Sequence, residues 1–267
     1  MPKAPRREVD AAAWDVFARH QPYYHILSHP SMLSPGPEQQ KEFWASGIRD
    51  IESLQAFAGI QFAHGTGIDL GCGLGRLTRA MCLLTTHQIG LDISSEMLRR
   101  AREANDAFSS VAFRQIREDR WPVETGSCVL VVSLYVLQHM STLELIEHSI
   151  REMGRVLMSG GRAVFNVPTV SLGGHLILLA RRSWANLNGL QNKQRLRALE
   201  ERLLQCQKGP AVFTEQEIMQ DMFLLDCRRM KSLLQSRLRA ASRRSGLEIY
   251  QMQRGEFGLT LVAAEKR

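Results

Sequence analysis

The chain has 267 residues, of which 44% are hydrophobic and 23% charged, and a formal net charge of +7. These proportions exclude a disordered, collagen-like or fibrous chain, and the length suits one large domain or one domain with an appended part. The five cysteines, at 72, 82, 128, 206 and 227, form no CxxC pair, which argues against a disulfide framework or a zinc site and for reduced thiols in a cytoplasmic protein. No apolar run approaches the roughly 18 residues of a membrane span, and the charged N-terminus "MPKAPRREVD" is not followed by the apolar stretch of a secretory signal. The positive excess suits an acidic partner, but an excess this diffuse is more often a solvated surface.

In chain order, residues 1 to about 60 read as helical with a proline-rich break. "AAAWDVFARH" sets Trp14, Phe17 and Ala18 on one face. Tyr23 and Tyr24 follow Pro22 and are expected in a loop, as is "HPSMLSPGPEQQ" with its three prolines. Trp44, Ile48, Ile51, Leu54 and Phe57 then recur every three or four residues, predicting an amphipathic helix. From 66 to about 167 the character changes. "TGIDL" reads as a buried strand, "LGRLTRAMCLL" as a helix and "HQIGLDI" as a second strand. "SSEMLRRAREANDAF" is a helix opened by Ser94 or Ser95 as N-cap, and "VAFRQI" a third strand. "CVLVVSLYVL" begins as a strand apolar on both faces; "STLELIEHSIREMGRVL" is a helix, and "SGGRAVFNVP" a turn and a fifth strand. This alternation predicts βαβ units and an α/β, doubly wound parallel sheet. Residues 169 to about 244 lose the rhythm and read as helical and polar, with an amphipathic segment at 191–208. From Gly246 the chain reads as two strands around a turn at Arg254 to Glu256.

The informative stretch is "GTGIDLGCGLGRLTRAM", residues 65–81. Glycines at 71, 73 and 75 between a buried strand and a helix let the chain bend sharply and leave its amides open to a ligand, with a helix N-terminus behind them. The spacing is G-x-G-x-G. A dinucleotide fingerprint has its third glycine one residue later, where Arg76 stands, and a phosphate-binding Walker loop needs Gly-Lys-Ser/Thr. Asp69 ends the first strand and Asp92 the second. Ligands of a doubly wound sheet lie at the carboxyl ends of its strands. There a carboxylate at 92 is placed to accept from both hydroxyls of a ribose. One at 69 repels phosphate and favours a cationic group such as an amino acid's ammonium.

Four segments in order, "IDLGCGLGR", "GLDISSEMLRRAR", "VLVVSLYVLQHM" and "REMGRVLMSGGRAVFNVP", resemble the class I S-adenosylmethionine-dependent methyltransferases over about 66–168. The C-terminal "GLEIYQMQRGEFGLTLVAAEKR" is similar to the final hairpin of that fold, and "PYYHILSHP…EFWASG" to the helical lid of one small-molecule branch. The resemblance implies a Rossmann-like, mostly parallel seven-stranded sheet. It divides the chain into a helical lid (1–60), a cofactor-binding core (61–168), a helical insertion covering the substrate (169–245) and a C-terminal hairpin (246–267).

The resemblance also implies residue roles. Asp69 would receive the methionine ammonium, directly or through water, and Gly71 and Gly73 would pack against the methionine and ribose. Arg76 would reach the methionine carboxylate, or else be a surface charge. Asp92 would hold the ribose hydroxyls, with Ile93 and Met97 beside the adenine. Ser133 and Leu134 would line the methyl-transfer side. The acid that the family places five residues before the pair after its third strand is here Arg117, ahead of Trp121-Pro122. Glu118 or Asp119 would then take the adenine amino group, or Trp121 would stack on the ring. "SCV" at 127–129 replaces the family's common Ser-Phe-Asp.

The function implied is S-adenosylmethionine-dependent methyl transfer, with S-adenosylhomocysteine as product, to an oxygen or nitrogen of a small or medium organic substrate. His139 is the first candidate for a general base or substrate contact, with Tyr135 and Tyr24 next; His139 also reads as a histidine packed under the next helix. Cys72 reads as a packing residue, Trp44 as core, and no metal is implied. Two alternatives stand beside this: a methyltransferase acting on RNA or protein, and a non-catalytic module that binds the cofactor. The basic run at 228–244 suits nucleic acid, but residues 224–249 carry no aromatic. Without a stacking platform the run reads as a solvated helix face, so nucleic acid is not the favoured partner.

Overall fold

The computed structural model describes residues 6–117, 119–170, 233–254 and 259–267. Eight strands form one sheet: β1 (Ala63–Leu70), β2 (Thr85–Asp92), β3 (Val111–Gln115), β4 (Cys128–Ser133), β5 (Leu157–Val170), the two-residue β6 (Leu233–Leu234), β7 (Leu247–Arg254) and β8 (Leu259–Lys266). The spatial order is β3-β2-β1-β4-β5-β8-β7, with β6 beside the end of β5. β1 to β5 run parallel, whereas β8 is antiparallel to both β5 and β7. Strand order therefore reverses between β1 and β4, where a doubly wound sheet opens its crevice.

Period-two alternation assigns each face of the sheet. Leu130, Val132 and Val164 bury with Ile51, Leu54 and Ala58 of α3 (Pro37–Ala58) and with Leu77 of α4 (Arg76–Ala80). Val131, Ala163 and Phe165 bury on the other side with Ile146, Ile150 and Met153 of α6 (Leu143–Val156) and Leu238 of α7 (Gln235–Arg244). So α3 is a layer helix of the sandwich. Of the N-terminal helices, α1 (Arg6–His20) and α2 (Pro22–Leu27) reach the strand tips. Ser94 caps α5 (Ser95–Ala104) by accepting from the Met97 N–H, and Thr142 caps α6 in the same way from Leu145.

Two local expectations change. Tyr23 and Tyr24 lie in α2, because Pro22 occupies its first turn, where the missing N–H costs nothing. The helix after the glycines spans only Arg76–Ala80; a 3₁₀ turn at Met81–Leu83 returns the chain directly to β2. The amphipathic segment at 191–208, like most of the insertion, lies outside the described residues, as do residues 255 and 256 of the C-terminal turn. Among the described residues no helix is long and apolar enough to cross a membrane.

Among its described residues, the segment between β3 and β4 forms no helix or strand, and α6 fastens it. Glu152 accepts from the Trp121 N–H at 2.7 Å and from Arg155 at 2.7 Å, and Arg155 donates to the carbonyl oxygens of Val123 and Trp121. Glu152 is buried. Replacing it with alanine leaves the Trp121 N–H unmet inside the fold and strips Arg155 of its carboxylate partner. Glu152→Ala is expected to cost about 2 to 3 kcal/mol, less than a fully buried pair because Arg155 is partly solvated, as read by urea denaturation.

Candidate active site at the carboxyl edge of the sheet

β1 ends at Leu70 and the chain turns through Gly71 and Gly73, both with positive φ (72° and 53°). A side chain on Gly71 would overlap Val136, and a Cβ on Gly73 would lie 2.8 Å from Ile26. The loop is thus pressed between the turn after β4 and helix α2, with bare main chain facing the crevice. Its Gly71 N–H donates to Leu91 O on β2 at 2.7 Å, so the bend is held by the neighbouring strand.

Asp92, at the tip of β2, accepts from the Gly73 N–H and the Ser94 N–H, both at 2.9 Å. Burial raises its pKa above the ordinary carboxylate range, while the N–H groups of Ser94 and Gly73 pull it back. Asp69 is almost completely buried and accepts from the Thr78 hydroxyl at 2.6 Å. Burial carries it to about 6, against the Thr78 bond and the nearby Arg76 charge. Burial also pushes the Cys72 thiol well above its usual range, which makes it inert packing.

Helix α1 crosses over this edge and is bonded on both sides of the crevice. Asp15 accepts from the Ser94 hydroxyl at 2.6 Å and the Glu96 N–H at 3.0 Å, at the start of α5. Asp10 accepts from the Ser141 hydroxyl at 2.9 Å, beyond β4. Between these anchors Trp14 faces the cavity, its ring 5.4 Å from that of His139 and edge-on to it. His25 of α2 also faces inward and stacks on Phe17 at 3.9 Å.

The cavity under α1 brings together nine of the residues expected from the sequence: Gly71, Gly73, Asp92, Ile93, Met97, Trp121, Leu134, Tyr135 and His139. Others stand elsewhere. Asp69 and Ser133 are buried behind the cavity floor, Asp69 on Thr78 and Ser133 on the Leu70 carbonyl, and neither lines the cavity. Arg76 turns away to Asp50 (2.6 Å) and Ser46 (3.0 Å) on α3, because a buried guanidinium needs a carboxylate and that helix supplies one. Tyr24 packs with Leu27 and Trp44 outside the cavity, since the turn of α2 points its neighbours His25 and Ile26 inward instead. Asp119 is solvent-exposed, its carbonyl oxygen held by His148; Glu118 lies outside the described residues. Among the described residues, the third-strand end of the cavity presents Ile116 and Trp121. Asp10, Trp14, His25 and Ile26 were not readable as site residues. Asp10 and Trp14 come from a helix placed by contacts 79 residues or more away, such as Asp15 with Ser94, and His25 and Ile26 from one that packs on the glycine loop at Gly73.

An aminoacyl nucleoside cation fits these features. The bare main chain at Gly71 and Gly73 admits close approach, Asp92 stands where a ribose diol would donate, and Ile93, Met97, Ile116 and Trp121 offer an apolar slot for a base. The raised pKa values of both carboxylates mean that positive charge nearby is welcome.

Comparison with known proteins agrees with this geometry. Residues 68–165 match the family described as a methyltransferase domain. The mouse (Mus musculus) tRNA (carboxymethyluridine(34)-5-O)-methyltransferase ALKBH8 is 29% identical over 148 residues, covering 55% of this chain and 19% of that protein. The chain spans about a fifth of the length of the curated relatives it matches. Among solved structures, a chain from the Haloferax volcanii complex of the Trm112 methyltransferase activator with a methyltransferase superposes with a TM-score of 0.55 at 16% identity. That match covers 94% of this chain and 96% of the other. Magnesium protoporphyrin IX methyltransferase from Synechocystis, solved with bound S-adenosylhomocysteine, gives 0.52 at 15% identity, over 88% and 89% of the two chains.

Two outcomes are expected. Asp92→Ala weakens S-adenosylhomocysteine binding by about tenfold or more, roughly 1.4 kcal/mol, in calorimetric titration. Asp69 is protonated in the native state up to about pH 6, while in the unfolded chain it ionises from about pH 4. Over that window the native state holds the extra proton, so this group lowers stability as pH rises and leaves it lower above pH 6. Denaturation of Asp69→Asn beside the wild type should show its relative stability growing from about pH 4 to about pH 6 and levelling thereafter.

Proposed function

We propose that this chain, a class I S-adenosylmethionine-dependent methyltransferase whose cofactor is S-adenosylmethionine, methylates an oxygen or nitrogen of a small or medium organic molecule with an apolar body. The observation that carries the acceptor's size is helix α1 bonded across the cavity on both sides, through Asp10 to Ser141 and Asp15 to Ser94. A site roofed by its own helix encloses its acceptor and shuts out water. The free thiols of Cys72, Cys82 and Cys128 support a reducing, cytoplasmic setting.

The bound cofactor supplies an electrophilic methyl group on a sulfonium whose departure leaves a neutral thioether. The chain's own task is alignment. Asp92 takes the ribose hydroxyls, the Gly71–Gly73 main chain seats the aminoacyl portion, and Ile93, Met97, Ile116 and Trp121 hold the base. Leu134, Tyr135, Trp14 and His139 then bound the acceptor on the remaining side. Fixing two reactants in line contributes up to roughly 7 to 11 kcal/mol in favourable cases. His139, at the cavity wall against Trp14, takes the acceptor proton at a ring nitrogen, a contribution of about 10²- to 10⁴-fold. Asp69 acts from behind the glycine loop, its negative charge favouring the ammonium end without touching it.

A second reading, transfer to RNA, draws on the tRNA methyltransferase relative and on α7, whose Arg239, Arg243 and Arg244 are exposed. One experiment separates the two. The protein is incubated with S-adenosylmethionine carrying a tritiated methyl, and with either the small-molecule fraction or the tRNA fraction of a cell extract. Label is expected in the small-molecule fraction and to fall by about 10²-fold or more in His139→Ala, with S-adenosylhomocysteine affinity kept. Label confined to tRNA, with binding that weakens steeply as salt rises, establishes the second reading instead.

A further inference from the structure

We infer that Asn166 is a positioning residue: it holds the Tyr135 peptide in a left-handed turn that presents the Tyr135 ring to the methyl acceptor and seats Val136 on the glycine loop. What the ring meets rests on the small-molecule reading above; the positioning itself rests on geometry.

β4 and β5 run in register to Ser133, which lies opposite Phe165. One residue further on, the ladder stops. Instead of continuing beside Asn166, the chain leaves the sheet, and the Tyr135 N–H donates to Asn166 Oδ1 at 2.7 Å. Tyr135 has φ of 59°, a conformation in which a Cβ-bearing aromatic residue is strained. Among the described residues Ser28 is the other non-glycine with positive φ, and it serves there as the C-cap of α2. Tyr135 ends no helix. Its side chain is also 49% exposed at the cavity wall, so little burial offsets the strain. Glycine would take this turn without strain; a tyrosine held there, its ring half-exposed at the cavity wall at the carboxyl tip of a central strand, is the kind of backbone outlier that clusters at functional sites.

Asn166 is itself buried, and its oxygen is an acceptor that only a well-placed donor satisfies. The bond therefore works in both directions, because losing the left-handed turn would also orphan the asparagine. The turn in addition directs the chain beyond it. Val136 lies against Gly71, where a Cβ would overlap it, Leu137 is fully buried, and His139 arrives beside Trp14. One side-chain oxygen on β5 thus sets the acceptor-side wall and closes it on the cofactor-side loop.

The test uses the full chain with Tyr135→Gly, Asn166→Ala and Asn166→Asp, the last keeping an acceptor oxygen in place. Glycine relieves the left-handed strain, so Tyr135→Gly should melt higher than the wild type while methyl transfer to the labelled small-molecule fraction falls by about tenfold or more. Asn166→Ala should lower transfer to a similar degree and Asn166→Asp restore it to within about threefold; S-adenosylhomocysteine affinity should stay within about threefold in Tyr135→Gly and Asn166→Asp, and fall by much less than transfer in Asn166→Ala, where Val136 also loosens on the glycine loop. The inference is overturned if Tyr135→Gly melts lower, if cofactor affinity falls as far as transfer does, or if Asn166→Asp is as poor as Asn166→Ala. Absence of label with the wild type would sink the small-molecule reading alone; whether Tyr135 is held in a strained turn is still decided by whether Tyr135→Gly melts higher or lower than the wild type.

Discussion

The carboxyl edge of the sheet depends on one carboxylate. Asp92 takes the N–H of Gly73 on one oxygen and that of Ser94 on the other, tying the glycine bend after β1 to the start of α5. Ser94 in turn caps α5 and binds Asp15 of α1. Loop, helix start and roof therefore share a single anchor, and it lies in the same crevice where a ribose would be gripped. Burial disfavours the charge of Asp92, and three main-chain N–H groups, of Ser94, Gly73 and Ile93, oppose that effect. The backbone it organises thus offsets part of the burial cost of its charge, and the carboxylate is fixed in place before a ligand arrives.

The same edge shows how a cavity wall is supported from behind. Trp121 lies in a segment without regular structure, yet it is buried, because Glu152 and Arg155 of α6 clasp its N–H and its carbonyl. The turn after β4 is held in a parallel manner by Asn166 of β5. Irregular backbone next to a binding crevice is costly unless its polar groups are met. Here both irregular segments are met by side chains from rigid elements, which places cavity-lining residues with the precision of a helix or strand.

Local signals carried the core of the fold. The run from "GIDL" through the glycines to "LDISSEM" announces β1, its bend, β2 and the cap of α5, because each depends on neighbours a few residues away: buried alternation, freedom at Gly71 and Gly73, the Ser94 hydroxyl. The sequence is silent or misleading where a partner lies far along the chain. Arg76 stands just inside a helix behind the glycines, where a ligand carboxylate is a natural partner, but Asp50, 26 residues earlier, meets it first. Asp10 and Trp14 look like any amphipathic helix until Ser141 and Ser94 fix α1 over the crevice. Trp44 reads as core, and its ring in fact lies under the Arg79 guanidinium at 3.9 Å, an aromatic–cation contact at the edge of the N-terminal cluster that no periodicity reveals.

Three groups near this edge share a physical trait: each is individually unfavourable and makes sense only in an assembly. A carboxyl buried behind a loop, a tyrosine in a left-handed turn, and an arginine sunk to 3% exposure all work against stability when taken alone. Folding tolerates a few such groups because the two apolar layers around the sheet offset their cost. They are concentrated at the tips of β1 and β4 and the helix behind them, not scattered over the sheet. In an α/β fold the strand tips are where order reverses and a crevice must open in any case. Packing there is interrupted by topology before any chemistry is added, so polar and strained groups displace the least apolar contact. The sheet's interior, from Ile68 to Phe165, carries the stability, and its carboxyl edge is free to carry the function.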